Sequence, residues 1–90
     1  MDIRLLSDKE KPPMDLLVLA DPSPKMVEKY LKRGESYIAE SDNQLIGIYV
    51  LLPTRPETVE IVNVAVAEKY QGRGIGKFLV VDAIDRKSVV

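Results

Sequence analysis

Residues 58–81 read TVEIVNVAVAEKYQGRGIGKFLVV, and three kinds of local structure follow one another along them. Thr58 to Ala67 is rich in Val, Ile and Ala, the composition of a strand covered on both faces. A polar loop follows, with Gln71-Gly72-Arg73-Gly74-Ile75-Gly76 at its end, and Lys77-Phe78-Leu79-Val80-Val81 opens an apolar helical pattern. The amides of a helix's first turn have no partner inside the helix. Glycines at that point let the backbone approach a ligand and adopt conformations barred to other residues. A phosphate or pyrophosphate is the guest such a joint suits.

Upstream, Asp2 to Leu6 reads as a first strand and Ser7 to Pro13 as a charged loop closed by two prolines. Met14 to Ala20 suits a short helix, with a strand as the other reading. Asp21-Pro22-Ser23-Pro24 is a break and a restart, with Ser23 as cap and Pro24 at the first helical position. Met26, Val27, Tyr30 and Leu31 then form one apolar stripe, and Gly34 stands where a left-handed helix terminator is expected. Ser36–Glu40 and Leu45–Leu52 read as a hairpin about Asp42-Asn43-Gln44. Pro53 to Glu57 reads as a stiff loop into the next antiparallel strand. Gly74 to about Lys87 is a helix, with Ile75, Leu79 and Ala83 in one row and Phe78, Val80, Val81 and Ile84 widening its apolar surface.

Ninety residues make one domain at most. With 46% hydrophobic and 30% charged residues, the chain suits a soluble globular protein better than a disordered one. A net charge of −1 gives no electrostatic case for nucleic acid or an anionic membrane as partner. There is no cysteine and no histidine, which leaves little from which to build a metal site and removes the commonest general base. The N-terminus carries no signal-peptide core, and no run approaches the ~20 apolar residues that span a bilayer. A cytoplasmic location is expected.

Three phosphate-cradling motifs compete for Gly72 to Lys77. A P-loop needs four residues between its glycines and a hydroxyl after the lysine; here Phe78 fills that place. The dinucleotide fingerprint needs G-x-G-x-x-G, whereas this chain offers G-x-G-x-G. The third is an acyl-CoA site. An apolar strand, a few polar residues and Q-x-x-G-x-G opening a helix resemble the GNAT superfamily of acetyl-CoA-dependent N-acetyltransferases. The segment Val62 to Tyr70 followed by Gln71-Gly72-Arg73-Gly74-Ile75-Gly76-Lys77 carries that resemblance, and the upstream helix, hairpin and strand are in the family's order.

The resemblance implies an α+β fold, a mostly antiparallel sheet of about four strands flanked by helices. It also implies acetyl-CoA as co-substrate, without a metal, and a primary amine as acceptor. Residues 1–90 would be a single partial domain with a CoA-binding core at 58–87. Backbone amides from Gln71 and Gly72 through Arg73, Gly74, Ile75 and Gly76 to Lys77 would hold the pyrophosphate. Backbone groups of Val64, Ala65 and Val66 would pair with the pantetheine arm as a neighbouring strand would. Arg73 is either a solvated cation or a phosphate partner, and Tyr70 is better read as a packed loop aromatic than as a catalytic acid.

The reaction needs an unprotonated amine, and an alkyl amine has a pKa near ~10, so a base or a water wire is required. Glu60 interrupts an otherwise apolar strand, shares parity with Val62, Val64 and Val66, and is expected on their face. It also stands eleven residues before Gln71 (71 − 60 = 11), where several family members carry their general base. Beside that reading stands a strand-end carboxylate facing water near Pro56. Asn63, opposite in parity, is expected to be a structural hydrogen-bonding residue. The segment Ser88-Val89-Val90 is too short to supply the strand and helix that complete the family's cleft. A truncated domain is therefore expected, with an open sheet edge that a homo-oligomer would cover. The alternative function is a catalytically incompetent module that only binds CoA or self-associates.

Overall fold

Asp42 and Asn43 both take positive φ, 52° and 64°, and close the hairpin of β2 (Glu35–Ser41) and β3 (Gln44–Arg55). Asp and Asn tolerate this conformation better than other side-chain-bearing residues, which is why the turn falls there. The computed structural model describes residues 1–87; Ser88–Val90 lies outside the described residues. Within it, β1 (Asp2–Leu5), β2, β3 and β4 (Thr58–Val66) form one antiparallel sheet in chain order.

Helices α1 (Met14–Ala20) and α2 (Pro24–Leu31) cover one face of this sheet. Ser23 Oγ accepts from the Met26 amide and Pro24 opens α2, as its sequence implies. Leu16, Leu17, Val27 and Tyr30 pack on Ile38, Ile48, Val50 and Ala65 of the sheet. Helix α3 (Ile75–Lys87) covers the other face, setting Leu79 and Ala83 against Tyr37, Ala39, Ile46, Tyr49 and Leu51.

Several local expectations are corrected. Gly34 is not left-handed, since only Gly72 and Gly74 among the glycines have positive φ. Its smallness matters instead, because a Cβ there would lie 2.5 Å from the Leu51 carbonyl oxygen. Pro53 belongs to β3, opposite Val59, and not to a loop. β2 ends its pairing at Leu51, so beyond that point a residue without an N–H breaks no ladder on that side. The reversal comes at Pro56-Glu57, where Glu57 has φ 66°. Met26 leaves the apolar stripe of α2 and is half-exposed, and Phe78, Val81 and Ile84 of α3 also remain half-exposed.

The largest correction lies in β4. Val50 stands opposite Asn63 and Leu51 opposite Ile61, so Val62 is the extra residue of a β-bulge. The bulge resets the alternation of faces. Val59, Ile61, Val64 and Val66 pack toward α3, whereas Val62 and Ala65 pack toward α1 and α2. Glu60 stands opposite Leu52, which also packs on the α1–α2 side, so Glu60 shares that side. Glu60 is therefore not on the face of Val64 and Val66, and Asn63 is not on the face opposite Glu60.

Tyr49 anchors the α3 face. It is fully buried, its ring stacks on Tyr37 at 5.1 Å between centroids, and its hydroxyl donates to Asp82 Oδ2 at 2.6 Å. Arg86 donates back to that hydroxyl at 3.2 Å and lies 4.7 Å over the Tyr37 ring. Burial first, and then the bond to Asp82, push the Tyr49 phenol above its ordinary range. Protons are held more tightly in the folded state, so this stabilisation is complete below the unfolded value of ~10 and declines as pH rises above it. Urea titrations of Tyr49→Phe should show a shallower loss of stability above about pH 10 than the parent. At neutral pH the variant should be weaker by about 1 kcal/mol for the lost hydrogen bond.

Candidate functional site

β4 ends at Val66, and the chain turns through a single 3₁₀ turn, Glu68–Tyr70, before α3 begins at Ile75. Between them Gln71 reaches back, its Nε2 donating to the Val66 carbonyl at 2.9 Å. Gly72 and Gly74 take φ of 79° and 77°. A Cβ at either would meet nothing within 4 Å, so conformation calls for glycine there, not crowding by the protein. Gly76 has an ordinary φ, and a Cβ on it would only touch Val66 Cγ2 at 3.9 Å.

The Phe78 amide makes the first bond of α3, to the Gly74 carbonyl at 3.1 Å. Among the described residues, the six amides before it, Gly72 to Lys77, donate to no protein acceptor. They line an open loop at the positive end of a 13-residue helix. Tyr70 is half-buried, as a packed loop aromatic should be, and its hydroxyl donates to Gln44 Oε1 at 2.5 Å. Lys69 Nζ and the Arg73 guanidinium lie 5.6 and 5.8 Å from the Tyr70 ring centre. That ring holds Arg73 beside the free amides. The Gln44–Tyr70 tether spans 26 residues, and nothing local in the sequence announces it.

The outer edge of β4 has no strand beside it among the described residues. The Ala67 amide donates to Ile46 of β3, so the Val66 carbonyl points away from the sheet, where Gln71 meets it. Alternation then turns the Val64 backbone groups and the Val66 amide outward, while Ala65 faces β3. Of the three edge residues named from sequence, Val64 and Val66 are open to a ligand.

Glu60 lies six residues before Val66 along β4, about 20 Å of strand. Its side chain is exposed and, among the described residues, holds no hydrogen bond or ion pair. Asn63 is 4% exposed and structural: its Nδ2 donates to the Leu17 carbonyl at 3.0 Å and to Tyr30 Oη at 2.8 Å. Its Oδ1 is buried and has no partner among the described residues. One amide thus ties the bulge of β4 to both α1 and α2.

A strand, a bulge, a glycine joint and a helix with free first-turn amides, set behind a three-strand meander, are the architecture of the acetyltransferase class. The profile of the Acetyltransferase (GNAT) family matches residues 5–87, and the chain belongs to that family. An uncharacterized N-acetyltransferase of Bacillus subtilis, YvbK, is 60% identical over 72 residues, covering 80% of this chain and 46% of that protein. A GNAT family acetyltransferase from Elizabethkingia anophelis, solved with acetyl-CoA bound, superposes with a TM-score of 0.90 at 47% identity, over 94% of this chain and 56% of that one. A Bacillus subtilis acetyltransferase solved in complex with CoA gives 0.87 at 52% identity, over 96% and 57%. The chain thus spans about half the length of the relatives it matches.

Two outcomes test this construction. Gly74→Glu adds a strained φ and an anion among the free amides, and like-charge contacts cost several kcal/mol, so CoA affinity in calorimetry should fall about a hundredfold or more. Asn63→Ala removes the donor to the Tyr30 hydroxyl and one of the two donors to the Leu17 carbonyl, which keeps only the Asp21 amide. Chemical denaturation should show a loss of about 1–3 kcal/mol.

Proposed function

We propose that the chain is the CoA-binding core of an acetyl-CoA-dependent N-acetyltransferase acting on a primary amine. The observation that carries this is the row of six unbonded amides, Gly72 to Lys77, opening beside the free edge of β4. These amides suit the pyrophosphate, with Arg73 as its flanking cation. The outward groups of Val64 and Val66 suit the two amides of the pantetheine arm, which would run back along β4 toward Glu60. Acetyl-CoA supplies an acetyl group activated as a thioester.

In the proposed reaction Glu60 takes a proton from the incoming ammonium, directly or through water, and passes it to solvent. The freed amine nitrogen forms a bond to the acetyl carbon, the carbon–sulfur bond breaks, and the CoA thiolate leaves and takes up, through water, the proton the nitrogen sheds as it becomes an amide. A small-molecule or peptide amine in the cytoplasm, where acetyl-CoA is made and used, is the proposed setting. The unpaired β4 edge and the half-exposed Phe78, Val81 and Ile84 support a second reading, a CoA-binding module that associates with further copies but does not turn over.

Release of CoA thiol from acetyl-CoA across an amine panel separates the two. Glu60→Gln should lower kcat by about 10²–10⁴, with acetyl-CoA affinity unchanged. CoA binding without turnover on any amine would favour the module.

A further inference from the structure

The bulge that turns Glu60 and Val62 toward α2 places them beside a recess the CoA reading does not use. This recess, about 300 Å³, is lined by Met26, Lys29, Tyr30, Arg33, Leu52 and Val62. Its apolar wall comes from both layers: Met26 and the nearly buried Tyr30 on one side, half-buried Leu52 and Val62 on the other. Glu60 borders it, being opposite Leu52 and two residues from Val62 on the same face.

Positions 26, 29, 30 and 33 fall at i, i+3, i+4 and i+7, so the helical repeat gathers them on one side of α2 and the turn that follows it. Lys29 and Arg33 are both exposed, and neither side chain holds an ion pair among the described residues. Two cations four apart repel one another, and among the described residues no carboxylate forms an ion pair with either of them. An anion entering the recess would.

Resting on the acetyltransferase reading, we infer that the acceptor is a primary amine that also carries a carboxylate on an apolar body. The carboxylate lies between Lys29 and Arg33, the apolar body against Tyr30, Leu52 and Val62, and the amine toward Glu60. Guanidinium and carboxylate form paired charge-assisted hydrogen bonds, which gives Arg33 the larger share of the orientation. The same two cations repel polyamines and other acceptors carrying several positive charges, so the recess selects by exclusion as well as attraction.

The test is a titration of the full chain, saturated with CoA, followed by amide NMR. The ligands are L-phenylalanine, 6-aminohexanoate, hexylamine and spermidine. At least one of the two carboxylated amines should shift the amides of Tyr30, Arg33, Leu52 and Val62. Hexylamine should bind about tenfold more weakly, and spermidine should leave these amides unmoved. The double variant Lys29→Glu/Arg33→Glu should lose the carboxylated ligand about tenfold and gain spermidine. Hexylamine or spermidine binding as tightly as the better carboxylated amine would overturn the inference. So would carboxylated ligands that bind the double variant unchanged, or that fail to move the four amides at millimolar concentration. The CoA reading fails separately, if CoA does not shift the amides of Gly72 to Lys77.

Discussion

Val62 and Asn63 together occupy the space opposite a single step of β3, between Val50 and Leu51, and much of the structure depends on that mismatch. Without the extra residue, the side chains from Glu60 to Val62 would exchange faces relative to those from Asn63 onward. The Asn63 amide holds the bulge by bonding both the Leu17 carbonyl and the Tyr30 hydroxyl. A buried amide is costly unless satisfied, so these two bonds tie the positions of α1 and α2 to one point on β4. The partnerless Oδ1 is the residual cost of that arrangement.

The same strand feeds the cradle. α3 is pressed onto the sheet by Leu79 and Ala83 and latched by the Tyr49–Asp82–Arg86 cluster, so its first turn cannot move independently of the end of β4. Rigid placement matters because unbonded amides bind an anion well only if they are already aimed. Gln71, by capping the Val66 carbonyl, leaves the edge groups of Val64 and the Val66 amide as the open part of the strand. The proposed binding edge, the proposed cradle and the Glu60 carboxylate are thus three parts of one strand and its exit.

Much of this was legible in the chain. The Ser23–Pro24 start of α2, the Asp42-Asn43 turn and the Gly72–Gly74 joint are local matters, set by φ preferences and nearby hydrogen bonds, and the structure has them where sequence reasoning places them. Tyr70 packs in the loop and Asn63 makes structural hydrogen bonds, as their residue types imply. Gly34 and Pro53 are not legible locally, because each answers to a neighbour distant in sequence: the Leu51 carbonyl for one, the end of β2 pairing for the other.

By itself, then, the sequence determined the order of elements, the family and the glycine joint, since each rests on contacts within a few residues. Only the tertiary structure decided which face Glu60 occupies, that Ala65 turns inward while Val64 and Val66 turn outward, and that Lys29 and Arg33 border a recess beside that carboxylate. The reason is physical: strict alternation along a strand holds only while the ladder is regular. Whether one residue bulges out depends on the partner strand and on the helices packed above it, which no local pattern records.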